Sequence, residues 1–294
     1  YFKKYFIPTE LIFISLFNYE LKPVTECAFP INKNGKKNIC WFWLTDSIYY
    51  IKLGETKLFE LSSEFMKKYD IKSCFDDYYY IRQLEDLFDI LPVISNSMPE
   101  DLYEYIYNEK KYKNLTNCFD NWIDEQKVFS DKDEILYENI CSFLSYGRLD
   151  TGYLNVKCCC CFYHVGDQII IHYDFEDFDE ENNPVWTAKS GRFTLTYKEF
   201  LDEIENLLNR FFCDMEKQIS NAAAELKDEV FYDIFVQRDK NTKPGTAYLF
   251  EEHEERKISF YSVLRSLKNN SCKKINWDEI RENIKFITLN FEKA

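Results

Sequence analysis

Four consecutive cysteines, Cys158–Cys161, open the segment of the chain that is richest in potential ligands and nucleophiles. Thiolates bind soft metals and carry redox chemistry, so the run could hold zinc or form a redox-active thiol. In a β-strand, however, Cys158 and Cys160 point to one face and Cys159 and Cys161 to the other. A structural zinc site needs four ligands, and no second cysteine pair with CxxC spacing accompanies the run. We interpret the cysteines as small hydrophobic residues of a buried strand, with a structural metal and a redox thiol as alternatives.

One histidine and two carboxylates follow the cysteines at a spacing of two residues. His172, Asp174 and Glu176 would project from one face of a strand, an arrangement that some hydrolytic sites with hard metals use. A metal-dependent hydrolase is therefore one alternative. The chain has only 3 histidines, and it lacks the Walker A, dinucleotide-binding, GxSxG and HExxH motifs. We expect a protein without catalytic residues, metal or cofactor.

Acidic residues dominate the rest of this segment and favour a solvated edge over a catalytic site. The formal net charge of −14 disfavours direct binding to nucleic acid and favours a basic protein partner. The 22 Tyr and 26 Phe exceed what a core easily absorbs, which indicates an interface. We expect two clusters to face Lys and Arg of a partner: Asp174, Glu176, Asp177, Asp179, Glu180 and Glu181, and then Phe250, Glu251, Glu252, Glu254 and Glu255.

Composition places the chain among folded, water-soluble proteins. Its 294 residues, 46% of them hydrophobic, suffice for a large core without a metal or disulfide staple. The first residues lack the order of a signal peptide, and the apolar run at 11–17 is too short to span a bilayer. The 11 cysteines have no regular spacing, which favours a reducing compartment. We expect a cytoplasmic protein that does not enter the membrane.

Strand patterns occupy the first and the central parts of the chain. They predict strands at 11–21, 39–44 and 47–54, the last two joined as a hairpin through Thr45 and Asp46. A second hairpin joins 154–163 to 168–175, and short strands follow at 185–188 and 192–195.

Helical patterns cluster between and after the strands. They predict helices at 76–91, ending before Pro92; from a capping box at Ser97–Glu100 to about 107; and at 133–146, with Gly147 at the C-terminal cap. The clearest helix, 197–219, begins with a capping box of Thr196 and Glu199. The pattern indicates an α+β fold with antiparallel hairpins and clustered amphipathic helices.

The character of the chain changes near residue 220. We therefore predict a body at 1–219 and a mixed C-terminal extension at 220–294. The extension should contain a polar helical segment to 233, a turn at 241–245, two short helical patterns and a strand at 286–291. The extension is expected to contact other subunits or the target.

Five blocks of sequence occur in a characteristic order: ICWFWLTDSIYYI, DDYYYIRQLEDLFDILP, MPEDL, GRLDTGYL and VWTAKSGRFTLTYKEFLDEI. They resemble an uncharacterised family of bacterial proteins over residues 39–219. The resemblance implies a shared fold and carries no established chemistry. It also implies that relatives end near residue 219, so that 220–294 is an addition.

Length, acidity and residue usage make the chain similar to phage-encoded Gabija anti-defence proteins. This resemblance implies a non-enzymatic inhibitor in the cytoplasm of the infected bacterial host. Its partner would be the Gabija complex, an ATPase–nuclease with a helicase-like subunit. A homo-oligomer of the inhibitor would enclose that complex and block DNA binding and cleavage. The alternative is a bacterial accessory or immunity-type protein-binding module of the same fold.

Overall fold

The computed structural model describes residues 15–75, 77–152, 154, 158–231 and 246–292, without the side chain of Asp77. Strands and helices are segregated along the chain rather than alternating as βαβ units, so the fold is α+β, as predicted. The predictions for residues 11–14, 76, 155–157, 232–233 and 241–245 lie outside the described residues.

The first sheet is built around one central strand. Strand β3 (Asp46–Leu53) pairs antiparallel with β1 (Phe17–Leu21), β4 (Thr56–Leu58) and β5 (Asp77–Tyr79). Tyr49, Ile51 and Leu53 of β3 are buried at alternate positions, as a strand with one face on the core requires. The predicted strand at 47–54 is thus confirmed.

The prediction that residues 39–44 form a strand and pair with β3 as a hairpin is wrong. Only β2 (Asn38–Ile39) is extended there, and Phe42–Thr45 forms a turn of 3₁₀-helix. This turn buries Leu44 and Thr45 beneath the helices, where Thr45 Oγ1 donates to the Phe42 carbonyl at 2.6 Å. Tertiary packing overrides the strand propensity of the aromatic run.

The second sheet contains the predicted second hairpin. Strands β6 (Cys159–Val165), β7 (Gln168–Asp174) and β8 (Gly191–Thr196) pair antiparallel in this order. Gly166, with φ of +64°, makes the turn between β6 and β7. On the other edge, residues 147–149 lie beside β6: Leu149 N donates to the Cys160 carbonyl and Phe162 N donates to the Gly147 carbonyl. The predicted strand at 185–188 is reduced to a single bridge between Trp186 and Leu61.

Helices cover these sheets. Helix α1 (Ser63–Tyr69) is short, and α2 (Tyr80–Ile94) buries Ile81, Leu84 and Leu91 of the predicted stripe. The helix does not end before Pro92. Proline removes one backbone donor, and Pro92 lies in the last turn, so the helix continues to Ile94.

Three helices follow α2. They are α3 (Glu100–Tyr107), α4 (Glu109–Glu125) and α5 (Asp131–Leu144). The capping box predicted at Ser97 is wrong, because α3 begins after Pro99 without a side-chain cap. The sequence analysis did not predict helix α4. Most of its residues are polar, so the apolar stripe of Leu115, Cys118 and Trp122, which the helix buries, was not recognised.

Helix α6 (Tyr197–Glu225) is the longest helix of the described residues and buries an apolar stripe from Phe200 to Ala222. Its predicted capping box is confirmed, since Thr196 Oγ1 accepts from Glu199 N while the Glu199 carboxylate accepts from Thr196 N. The predicted boundary near residue 220 falls within this helix, where Ile219 and Ala222 are both fully buried.

The C-terminal part packs on the same core as the rest of the chain. Strand β9 (Val230–Phe231) pairs parallel with β2, α7 (Thr246–Lys268) packs on α2 and α6, and α8 (Trp277–Asn290) packs on α4 and α5. The strand predicted at 286–291 is wrong. Ile280, Ile284 and Ile287 form a buried helical stripe, and Asn276 caps the helix by accepting from Glu279 N.

Candidate functional site

The acidic cluster predicted at 174–181 begins where β7 ends. Phe175 is buried against Phe59 and Trp186, with ring centroids 5.3 and 5.5 Å away, so the chain is anchored at this point. Asp174 is exposed, and its Oδ1 accepts hydrogen bonds from Glu176 N at 3.1 Å and from Ser190 Oγ at 2.9 Å. These contacts fix the start of the loop that carries the remaining acids.

Asp179 organises this loop and is not available to a partner. Its side chain is only 2% exposed and accepts from the backbone N–H groups of Glu181 and Asn183, both at 2.9 Å, and from Lys68 Nζ at 3.0 Å. Burial opposes its ionisation, but the hydrogen bonds from Asn183, Lys68 and Glu181 outweigh it and hold the pKa of Asp179 well below its usual range. The prediction that Asp179 contacts a partner is therefore corrected.

The other acids of the cluster face solvent. Glu176 and Glu180 are exposed and Asp177 is half-buried, and none of the three forms an ion pair within the part of the chain that the structure describes. Glu181 lies 3.3 Å from Lys68 but is 70% exposed. A surface pair of this kind contributes little to stability, so its carboxylate can exchange partners at small cost.

A groove of about 450 Å³ runs beside these acids. Its lining comes from residues 62–64, 175–178 and 186–189 together with Pro184. Trp186 forms part of the buried floor, whereas Phe178 is 52% exposed at the rim. We call the groove and the carboxylates of Glu176, Asp177 and Glu180 the acidic groove.

The second predicted cluster lies on α7. Phe250, Glu251, Glu254 and Glu255 are exposed on this helix, as a contact surface requires. Glu252 is different, because it is buried and accepts hydrogen bonds from Tyr248 Oη at 2.6 Å and Arg256 Nε at 2.8 Å. Both bonds lie within α7 and keep the buried carboxylate from a partner, so the predicted role of Glu252 as a partner contact is also corrected.

The residues of the hydrolase alternative are not assembled as a metal site. His172 Nε2 shares a hydrogen bond of 2.6 Å with Tyr103 Oη. Burial and the charge of Arg192 lower the pKa of His172 to about 4, so the imidazole is neutral near pH 7. Glu176 lies beyond the end of the strand, and its backbone rather than its carboxylate contacts Asp174. Among the described residues, no group of three or more His, Cys, Asp or Glu side chains could hold a metal ion.

The cysteine run divides between two faces, as strand alternation predicts. Cys160 is fully buried towards the core, whereas Cys159 and Cys161 share the opposite face, with their Sγ atoms 3.7 Å apart. Sequence reasoning missed the neighbours of this face. Arg148 arrives from the segment before β6 and Tyr103 from α3, and nothing in their local sequence signals the contact.

Fold and surface together define an α+β protein with an acidic, aromatic-rimmed groove beside an antiparallel sheet. The family model described as "Family of unknown function (DUF5984)" matches residues 16–283. The chain therefore belongs to this family. The match continues well past residue 219, so most of the segment 220–294 lies within the family's extent.

Two further comparisons add no relative. Neither the curated proteins nor the solved structures contain a match to the chain. Within the described residues, no helix has the length and apolar character that crossing a bilayer requires.

Proposed function

We propose that this chain is a non-enzymatic binding protein whose acidic groove contacts a basic surface of a larger assembly. The assembly we propose is the Gabija ATPase–nuclease complex with its helicase-like subunit, to which the resemblance in the sequence points. The chain would inhibit this complex by covering the surface that otherwise binds and cleaves DNA. It would act in the cytoplasm of the infected bacterial host.

The observation that carries the proposal is the set of unpaired carboxylates at the acidic groove. Glu176, Asp177 and Glu180 are within reach of solvent, and Phe178 is exposed beside them. An exposed aromatic side chain next to a groove is a typical anchor of a protein interface, and a charged rim steers the encounter. Lys or Arg of a partner would gain ion pairs there without breaking existing ones.

Charge also supports DNA occlusion as the mechanism. Surfaces that bind DNA are rich in Lys and Arg because they neutralise phosphates. A protein with a formal net charge of −14 is attracted to such a surface and repelled by DNA itself. A bound acidic protein would therefore compete with DNA for the same cations.

Exposed apolar side chains support the proposed homo-oligomer. Val128 and Leu289 are 82% and 81% exposed, and Ile135 and Phe286 are about half exposed. These residues lie on or beside α5 and α8, which pack together. Exposed apolar side chains of this kind are stabilised by burial against another chain, and enclosure of a large complex needs several copies.

The test is inhibition of DNA cleavage by the purified Gabija complex. We expect the wild-type chain to abolish cleavage at a stoichiometric ratio. The variant E176Q/D177N/E180Q should inhibit about tenfold less well, because a loss of about 1.4 kcal/mol over three ion pairs is modest for an interface.

A matched control keeps the change in net charge constant. The variant E26Q/E55Q/D89N removes one Asp and two Glu charges at exposed positions outside the acidic groove and outside α5 and α8. It should inhibit within about twofold of wild type if location decides. Equal weakening by both variants would refute the acidic groove as the contact, and a wild-type chain that never inhibits would exclude the Gabija complex as the target.

A further inference from the structure

The outer face of the second sheet carries a row of reactive side chains that the proposed binding function does not use. Pairing places Arg148 opposite Cys161, Cys161 opposite His172, and His172 opposite Arg192. Residues paired directly across antiparallel strands project to the same face. Two guanidinium groups therefore flank a thiol and an imidazole in one line across four chain segments.

The pairing of Arg148 with Cys161 is the closer of the two types that occur in antiparallel sheets. Leu149 N donates to the Cys160 carbonyl at 2.9 Å, and Phe162 N donates to the Gly147 carbonyl at 2.8 Å. These bonds flank the Arg148–Cys161 pair, so it is a non-hydrogen-bonded pair with Cα atoms about 4.5 Å apart. Arg148 therefore lies directly across from Cys161, on the face that carries the two thiols.

Cys159 lies two residues before Cys161 on the same face. The two Sγ atoms are 3.7 Å apart, which is within hydrogen-bonding range for thiols. Cys159 is half-buried and thus reachable from solvent, whereas Cys161 is only 7% exposed. A reagent can therefore reach Cys159 first, and Cys161 lies next to it on the same face of the strand.

The two thiols also differ in pKa, and the more exposed Cys159 has the lower one. The hydrogen bond from Cys161 and the charge of Arg148 lower the pKa of Cys159 to about 7, against the opposing effects of burial and of Asp174. The hydrogen bond to Cys159 and burial raise the pKa of Cys161 well above its usual range. Cys159 is therefore the thiol of the pair that ionises more readily, and Cys161 donates a proton to it.

We propose that Cys159 and Cys161 form a thiol–disulfide exchange site for low-molecular-weight disulfides of the glutathione type. The Cys159 thiolate attacks one sulfur of the disulfide, the sulfur–sulfur bond breaks, and one thiolate leaves. Cys161 then loses its proton and attacks the sulfur of Cys159, and the second thiolate leaves. The protein is oxidised by two electrons, the small disulfide is reduced, and the two thiol protons end on the two released thiols.

Strand geometry allows this disulfide and makes it easy to reduce. Two residues of extended strand separate the Cα atoms by roughly 6.6–6.8 Å. This lies at the upper end of the roughly 4.4–6.8 Å range for disulfides, so the bond forms under strain. A strained disulfide is readily reduced by thiols, which makes the exchange reversible.

The experiment treats the reduced full-length chain with glutathione disulfide at pH 7. Remaining thiols are blocked with N-ethylmaleimide in denaturant, so that the buried Cys160 also reacts, and tryptic peptides are weighed. We expect the peptide that begins at Cys158 to carry two maleimides and no glutathione, and to take up two further maleimides after reduction. The exposed Cys74 should instead retain one glutathione, which shows that the reagent is active.

Three variants assign the roles. Cys161→Ser should retain one glutathione on the peptide, because the mixed disulfide at Cys159 is no longer resolved. Cys159→Ser combined with Cys158→Ser should retain none, because the two remaining thiols, Cys160 and Cys161, are buried. Cys158→Ser, on the opposite face, should still form the disulfide, and its peptide should then carry one maleimide, on Cys160. Circular dichroism checks that each variant is folded, and Cys161→Ala replaces Cys161→Ser if the hydroxyl disrupts the core.

Three results would overturn the proposal. The first is a wild-type peptide that retains glutathione. The second is a peptide that stays unmodified while Cys74 reacts fully. The third is a loss of the disulfide in the Cys158→Ser variant.

Discussion

Among the glycines that the structure describes, Gly147 is the one where an added methyl group should damage the fold most. Its φ is +64°, and a Cβ atom placed there would lie 1.9 Å from the carbonyl oxygen of Phe162. Contacts of a Cβ atom below 3.0 Å essentially never occur. Residues 147–149 and β6 would therefore have to separate by at least 3.0 − 1.9 = 1.1 Å.

The expected cost of Gly147→Ala has two parts. The left-handed backbone conformation costs about 1–2 kcal/mol for any residue with a Cβ atom. Separation of the two segments strains the bond from Phe162 N to the Gly147 carbonyl, and a buried backbone group without a partner costs about 1–3 kcal/mol. We expect a loss of about 2–5 kcal/mol in the free energy of unfolding.

Gly166 provides the matched control. Its φ is also +64°, but a Cβ atom there would meet nothing within 4 Å. Gly166→Ala should therefore cost only the conformational part, about 1–2 kcal/mol. Urea unfolding followed by tryptophan fluorescence measures both variants. A difference of less than about 0.5 kcal/mol between them would refute the argument that the Phe162 carbonyl excludes a side chain at residue 147.

Three further predictions concern side chains with unusual surroundings. Glu252→Ala should lower the free energy of unfolding, measured in urea, by about 2–4 kcal/mol, because it leaves the partly buried Arg256 without this acceptor. Glu255→Ala, at an exposed position, should change it by less than about 0.5 kcal/mol. Burial raises the pKa of Asp86 to about 6, so the folded state keeps a proton that the unfolded state releases. The free energy of unfolding should therefore fall by about 2 kcal/mol as pH rises from about 4 to about 7. Asp86→Asn should remove that fall in urea titrations at the two pH values. The rate at which iodoacetamide alkylates Cys159 should rise about tenfold between about pH 6 and pH 8, since its pKa is about 7; a rate still rising steeply above pH 8 would contradict that pKa.

The elements that the sequence predicted well are those whose local signals agree with one another. Helix α6 has a capping box and an apolar stripe that runs through Phe200, Leu207 and Phe211, so cap and periodicity indicate the same structure. The β6–β7 hairpin likewise combines a Gly-Asp turn with two alternating strands. Such segments need no information from distant parts of the chain.

Segments that were mispredicted have local signals that conflict with their packing. Residues 286–291 are rich in β-branched and aromatic side chains, which favour a strand in a short window. The helix is specified over a longer window, by the stripe from Ile280 to Ile287 and the cap at Asn276. Residues 39–44 fail for a related reason, because β1 pairs with one side of β3 and β4 and β5 with the other. The aromatic run packs against α6 and α2 instead.

Some features of the candidate site could be predicted from the sequence, and others could not. The sequence places acids at 174–181 and 250–255, and most of them are exposed. It does not show that Asp179 is bonded to Lys68, 111 residues away, or that Arg148 pairs with Cys161 beside a second thiol. Such pairs depend on the tertiary fold, which single-sequence patterns do not encode.

The most direct test of the proposed function is the ionic-strength dependence of binding to the purified Gabija complex. If the acidic groove steers the encounter, the association rate constant should fall about tenfold between about 50 mM and about 300 mM salt. The variant E176Q/D177N/E180Q should associate more slowly and show a flatter salt dependence than wild type. Association that is undetectable, or that has the same rate and salt dependence in wild type and variant, would contradict the account.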